Sequence, residues 1–293
     1  MNSALLLAIK INIDPVIVRI AGLEITWHGL FTALGVVLGV AIATWFARRA
    51  NYEEDMIYNV ALALVIGGII GARGLYVLEH TSQFKDNLGD IFAINTGGIS
   101  IYGALIGGAI GGWLFAYLSH VPNLPRAADI AAIGGIVGMA VGRIGDIING
   151  EHFASGTGLP WGVIYTNPHS PSFLAGFVEP QHPAVAYELI GDLLIFLGLI
   201  FVYFRVQRAG VTFFAWVFAY GLLRTLVSFL RLDDTVLLGL RTAQLIGIAG
   251  MVGGLGALVY LFRYPPKEER LGRGARRREA ADPPPPPEEQ PAS

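Results

Sequence analysis

ADIAAIGGIVGMAVGRIGDIINGE, residues 128–151, is the stretch on which the reading of this chain turns. Residues 128–141 are apolar enough to lie in hydrocarbon at little cost. The ten residues after them, Gly142-Arg143-Ile144-Gly145-Asp146-Ile147-Ile148-Asn149-Gly150-Glu151, place an arginine, two carboxylates and an amide at the end of that segment. A guanidinium at such a depth needs a partner or water, so the segment reads as a membrane span with a functional group near one end.

The rest of the chain agrees. It has 293 residues, 54% hydrophobic and only 14% charged, with mean hydropathy +0.56. A soluble domain carries roughly 25% charged residues, so this is a polytopic membrane protein, all-α. A net charge of −2 offers no basic face for nucleic acid. The absence of cysteine excludes disulfides, thiolate catalysis and Cys-based metal sites. Any thiol in the chemistry must come from a substrate. The N-terminus does not read as a cleaved signal, because its apolar run is short and no basic region precedes it. Residues 1–27 alternate loosely through Ile11, Ile13, Val16, Val18, Ile20, Leu23 and Ile25, broken by Pro15 and Gly22, and read as short interfacial segments.

Seven spans follow, near 28–47, 57–78, 99–118, 128–148, 185–204, 211–230 and 243–262. Each reaches the roughly 20 residues that cross a hydrocarbon core. The spacings Gly35/Gly39, Gly67/Gly71 and Gly103/Gly107/Gly111 predict close helix packing. Basic residues set the orientation. Arg48, Arg49, Arg126, Arg205, Arg208, Arg263 and the tail cations fall on one side if the N-terminus is outside. The other side carries only Lys10, Arg19, Lys85, Arg231 and Arg241. The C-terminus is then cytoplasmic, residues 79–98, 149–184 and 231–242 face outward, and 28–262 form one transmembrane domain with 149–184 as its lid. The tail, 263–293, is basic and then proline-rich (PPPPPEEQPAS), a composition that predicts disorder.

At about 1.5 Å per residue, Arg143 lies about 22 Å along its span, Arg73 about 24 Å and Arg224 about 20 Å, with Tyr102 within about 5 Å of its outer end. His28 begins the first span, His182 just precedes the fifth, and Glu151 just follows the fourth. Arginines, histidines, tyrosines and carboxylates thus gather at one level, the outer boundary. Singly, each arginine reads equally well as a structural ion pair, each histidine as an interfacial one, and Tyr102, Tyr187 and Tyr220 as belt aromatics. Together, cations at headgroup depth suit a phosphate-bearing ligand, because guanidinium forks match phosphate oxygens. Arg143 and Asp146 share a helical face, as do Asp146 and Asn149, while Tyr220, Arg224 and Ser228 form a polar stripe. Asn149-Gly150 reads as the turn that ends the fourth span. A transporter or channel would spread its polar residues along a path, and here they sit at one end.

At these residues the chain resembles the bacterial prolipoprotein diacylglyceryl transferases. That family's GRxGNFxNxE signature compares with GRIGDIINGE at 142–151. Its Gly-Ala-Arg compares with Gly71-Ala72-Arg73, and its GGxxxHG or GGxxxYG stretch with Gly97 to Gly103, including Tyr102. Its HPxxxYE compares with His182-Pro183 to Tyr187-Glu188, its YGxxR with Tyr220 to Arg224, and a late glutamine with Gln244. The resemblance covers about residues 20–262. There are departures: Asp146 for Asn, Ile147 for Phe, Ala154 for Gly, Gln181 where a basic residue often stands, Ser228 for Glu, and His28 in place of the tyrosine of Trp-Tyr-Gly. The last suggests a His/Tyr exchange between positions 28 and 102.

The resemblance implies transfer of diacylglyceryl from phosphatidylglycerol to the lipobox cysteine of a preprolipoprotein, held by its signal peptide, in the bacterial inner membrane. The products are a thioether and glycerol phosphate. No cofactor is implied, and the histidines show no metal-ligand spacing. Arg143 and Arg224 are the expected clamp on the leaving phosphate. Asn149 and Tyr220 add hydrogen bonds, with Asp146, Arg73 and His182 at the lipid. His28, Tyr102 and Glu151 are the three candidates for the base that takes the thiol proton. The departures motivate a rival reading, a diverged paralogue that binds lipid without transferring it.

Overall fold

A computed structural model describes residues 8–20, 23–84, 88–92 and 98–265. The expected disorder of the tail falls on residues 266–293, and one base candidate rests on the Tyr102 side chain; both lie outside the described residues. Seven long helices carry the chain: α1 (Trp27–Arg49), α2 (Glu54–Glu79), α3 (Ile101–Leu118), α4 (Leu124–Asn149), α5 (Ala184–Arg205), α6 (Val211–Ser228) and α7 (Thr242–Arg263). Among the described residues, all but α3 are long and apolar enough to cross a membrane, and α3 holds a shorter apolar run, Gly103–Leu118. The helices turn large apolar side chains outward, for example Ile70 at 67% exposure, Leu194 at 63% and Val252 at 68%. Such a surface has no place in water and suits lipid.

The expected interfacial segments are strands. β1 (Ile9–Ile11) pairs in parallel with β4 (Val163–Tyr165), with Ile11 opposite Tyr165. β2 (Val16–Ile20) and β3 (Leu23–Thr26) form an antiparallel hairpin, and β5 (Thr235–Leu237) pairs with β6 (Leu240–Arg241) before α7. Alternating β-branched residues favour this geometry over helix. Among the described residues the mostly helical class therefore carries three small two-stranded ribbons, all at the end where α1 begins and α4 finishes. Arg48, Arg49, Arg126, Arg205 and Arg263 mark the opposite, basic end.

Helices pair through glycine. A methyl group on Gly71 would stand 2.2 Å from the Gly103 carbonyl oxygen, and one on Gly107 would stand 2.3 Å from that of Gly67. The same contact joins Gly35 of α1 to Gly138 of α4 at 2.4 Å, and Gly221 of α6 to Gly247 of α7 at 2.6 Å. Backbones this close trade side-chain volume for dispersion contact, which drives helix association where lipid removes the hydrophobic contrast. The glycine spacings seen in the sequence are these interfaces. The basic end is filled differently, by Phe46, Tyr52, Ile130, Ile133, Leu199 and Tyr203, with Phe46 edge-on to Tyr203 at 5.0 Å. There Asp129, fully buried, accepts from the backbone N–H groups of Gly210 (2.9 Å) and Phe213 (2.8 Å) and so caps α6.

Gly107→Ala should therefore destabilise the detergent-purified protein by about 1–3 kcal/mol, the usual range for overpacking. Gly253→Ala, where an added methyl meets nothing within 4 Å, should leave the melting temperature unchanged. Equal melting of the two variants would remove the glycine faces as the source of pairing.

Candidate active site

α4 brings the signature residues to the ribbon end. Arg143 Nη1 donates to Asp146 Oδ2 at 3.0 Å, one turn away. The helix stops at Gly150, whose φ of +74° suits glycine, and the Gly150 N–H donates to the Asp146 carbonyl at 3.0 Å. Glu151 then turns back, so that Asn149 Nδ2 donates to its Oε2 at 2.8 Å. The turn expected at Asn149-Gly150 is this helix end.

α1 contributes His28, and a glycine permits it. A methyl on Gly145 would lie 2.8 Å from the His28 Cα. Without that methyl, α1 begins directly against α4. His28 Nδ1 then sits 2.6 Å from Asp146 Oδ1 and 3.5 Å from Glu151 Oε1. Asp146 therefore joins Arg143 to His28. His152 Nε2 stands 3.5 Å from Asp146 Oδ2, and the Arg231 Nη2 donates to His152 Nδ1 at 3.2 Å.

α5 supplies the carboxylates that hold the arginines. Glu188, 1% exposed, lies 3.0 Å from Arg143 Nη2 through Oε2 and accepts from Arg224 Nη1 through Oε1. One carboxylate thus sits between two guanidinium groups from α4 and α6. Asp192, one turn further along α5 and fully buried, lies 3.9 Å from Arg143 Nε. Tyr220 accepts from Arg143 Nη2 at 3.5 Å, one turn before Arg224 on α6. Among the described residues neither Asp192 oxygen has a hydrogen-bond partner, so this part of the network retains acceptor capacity.

Of the residues singled out in the sequence, His28, Arg143, Asp146, Asn149, Glu151, Tyr220 and Arg224 belong to this one network. Arg73 is directed elsewhere: its guanidinium donates to the carbonyls of Asp90, Ile91 and Gly98 and holds the α2–α3 connection. His182 lies at the start of α5, 3.5 Å from the Tyr187 hydroxyl, which also accepts from Trp161 Nε1 at 2.9 Å. Sequence reasoning missed Glu188 as a bridge and passed over Asp192 and His152 altogether. Two acids one turn apart inside an apolar span were a signal by themselves.

The 149–184 connection is tied to the same end of α4. The Tyr165 hydroxyl donates to the Ile147 carbonyl and Ser172 Oγ to the Gly150 carbonyl, both at 2.7 Å. Burial, with the Asp146 charge adding to it, pushes the Tyr165 phenol above its ordinary range, so it stays a donor at any working pH. His169 lies 2.6 Å from Asp14 and pins this connection to the N-terminal segment. That hydrogen bond holds the Asp14 carboxyl below its ordinary range. The departures at Gln181 and Ala154 meet here: the Ala154 N–H donates to Gln181 Oε1 at 2.9 Å, and both residues are buried.

Two measurements follow from this arrangement. Glu188→Ala leaves two guanidiniums without their shared partner and should cost about 3–5 kcal/mol of stability, with Glu188→Gln costing less; unchanged melting of the alanine variant would show that the bridge carries no structural weight. Asp14 has a lowered folded pKa, so the stability it contributes is present at neutral pH and is lost as pH falls through that value. Acid should therefore open the 149–184 connection to protease, and Asp14→Asn should do so at neutral pH; a variant as resistant as the parent would sink the latch.

Residues 15–260 match the family model described as prolipoprotein diacylglyceryl transferase. Among curated relatives, the phosphatidylglycerol–prolipoprotein diacylglyceryl transferase of Trichormus variabilis is 37% identical over 254 residues, covering 85% of this chain and 89% of the relative. The protein of that name from Clostridioides difficile is 33% identical over 248 residues, 85% of this chain and 95% of its own. That of Dehalococcoides mccartyi is 32% identical over 263 residues, 89% of this chain and 99% of its own. With the profile and these relatives covering nearly all of the helical body, the chain belongs to the prolipoprotein diacylglyceryl transferase family.

Proposed function

We propose that this chain moves the diacylglyceryl group of phosphatidylglycerol onto the lipobox cysteine thiol of a preprolipoprotein. The sulfur forms a bond to the glyceryl carbon, the bond from that carbon to the phosphate oxygen breaks, and glycerol phosphate leaves. The observation that carries this reading is the Glu188 bridge, which draws the guanidiniums of Arg143 and Arg224 together at one end of the bundle. Charge builds on the phosphate as it leaves, and two preorganised cations there stabilise the transition state more than the ground state. Tyr220 supports the same oxygens by hydrogen bonding. Asn149 acts through Glu151, and Arg73 holds the neighbouring connection.

His28 is the base in this scheme. Asp146 accepts the Nδ1 proton, which leaves the Nε2 lone pair to take the thiol proton, the tautomer logic of a histidine oriented by a carboxylate. The Asp146 departure then has a role: it serves His28 and Arg143 at once. Glu151, held by Asn149, reinforces the imidazolium once it forms.

Topology completes the reading. α3 is taken as the seventh span, the N-terminus as outside and the C-terminus as cytoplasmic, because the basic helix ends mark the cytoplasmic face. The site then opens on the outer leaflet of the inner membrane, where the lipid enters sideways and the signal peptide presents its cysteine. Residues 149–184 form the cover, and no nucleic acid is involved.

Purified protein given phosphatidylglycerol and a lipobox peptide should release glycerol phosphate. Arg143→Lys, which keeps a cation among Asp146, Glu188 and Asp192 but loses the guanidinium fork, should lower that rate by about 10²–10³, the usual loss for one oxyanion-stabilising donor, with the melting temperature read alongside to show that the variant is folded. Full turnover in the variant would refute the clamp. No turnover in the parent, together with failure to complement a transferase-depleted strain, would refute the activity.

A further inference from the structure

We propose that His28, Asp146 and Glu151 form a binding site for a divalent transition-metal ion of the zinc class. The three side chains each offer a ligand atom, and these atoms all lie within 4.8 Å of one another. They come from α1, the last turns of α4 and the turn after it. The donor set is one imidazole nitrogen and two carboxylate oxygens; the carboxylates are hard donors that many divalent ions accept, and the imidazole is the borderline ligand that favours zinc over magnesium or calcium.

The geometry is close to what such an ion needs. Metal–ligand bonds of about 2.0–2.2 Å at a tetrahedral angle set neighbouring donors about 3.3 Å apart. His28 Nδ1 and Glu151 Oε1 are 3.5 Å apart. His28 Nδ1 and Asp146 Oδ1, at 2.6 Å, share a hydrogen bond, and an ion replacing that proton would open them by less than about 1 Å. Each carboxylate is already held on its other oxygen, Asp146 Oδ2 by Arg143 at 3.0 Å and Glu151 Oε2 by Asn149 at 2.8 Å. Fixed outer partners of this kind orient metal-binding carboxylates. His152 Nε2 stands 3.5 Å from Asp146 Oδ2 and 4.0 Å from Glu151 Oε1, and because Arg231 donates to its Nδ1 the proton is on Nε2, so His152 serves these carboxylates as a donor and not the ion as a ligand.

The His28 side chain is 45% exposed, which gives an ion access. Three protein donors leave a coordination position open, the pattern of sites that exchange their fourth ligand.

The consequence rests on the transferase reading. A metal on Nδ1 forces the imidazole proton onto Nε2, and Nε2 then cannot accept the thiol proton. Zinc should therefore bind the resting enzyme and inhibit it, with chelator restoring activity.

The test is calorimetric titration of the full chain in detergent with zinc chloride alone, near neutral pH, with metal content measured after dialysis. Wild type should bind one equivalent. His28→Gln and Glu151→Gln should each weaken binding about tenfold or more, while His120→Gln, an exposed histidine at the basic end, should bind as wild type does. Elution profile and melting temperature confirm that each variant is folded; if one is not, the other decides. Absence of saturable binding, or wild-type affinity in His28→Gln, overturns the site. Zinc binding without any transferase activity defeats the transferase reading alone, and transferase activity without zinc binding defeats the metal site alone.

Discussion

Burying arginine inside an apolar bundle is the constraint on which the rest of this structure depends. A guanidinium at that depth is tolerable only with matched carboxylates, and those carboxylates are tolerable only with it. Arg143 meets Asp146, Glu188 and Asp192, and Glu188 also meets Arg224. Removing Glu188 takes from Arg224 the carboxylate it pairs with, and removing Arg143 takes from Asp192 its guanidinium. The network therefore locks α4, α5 and α6 into one relative register at the ribbon end, while the opposite end relies on packed apolar side chains.

Such a network forms only if backbones approach closely enough for short polar side chains to touch, and glycine sets that approach. Gly35, Gly134 and Gly138 draw α1 onto α4, and Gly145 carries the contact to the very start of α1. The consequence is chemical as well as structural: His28 arrives within hydrogen-bond distance of Asp146. A side chain at position 145 would move the imidazole away from the carboxylate, so a packing residue decides whether the histidine has an orienting partner.

The departures from the family signature take on definite places in this frame. Asp146 gains an imidazole on one oxygen and keeps the arginine on the other. Gln181 caps the Ala154 N–H, and Ala154 packs with Ala184 and Val227. Ser228 is fully buried, and its carbonyl accepts from Arg241 at 2.7 Å. Arg224, one turn before it, reaches back to Glu188 on α5. The pairing carboxylate thus comes from a neighbouring helix and not from α6 itself.

Membrane residence, the helical segments and their glycine faces, the turn at Asn149-Gly150 and the family were all legible in the sequence. Each depends on periodicity or local composition, which neighbouring residues carry by themselves. The level at which Arg143 and Arg224 lie was legible too, since helix rise converts position into depth. Which charges meet was not. His28 and Asp146 are 118 residues apart, and no local pattern specifies a contact made by two helices crossing at a glycine. The same holds for Glu188, whose place in the HPxxxYE motif says nothing of the two arginines it joins. Arg73 shows the converse, because depth alone grouped it with the others, yet its rotation on α2 sends it to the carbonyls of Asp90, Ile91 and Gly98. Sequence determined how far along each helix a charge lies; tertiary structure decided which way it faces, because helix rotation is set by packing against neighbours distant in the chain.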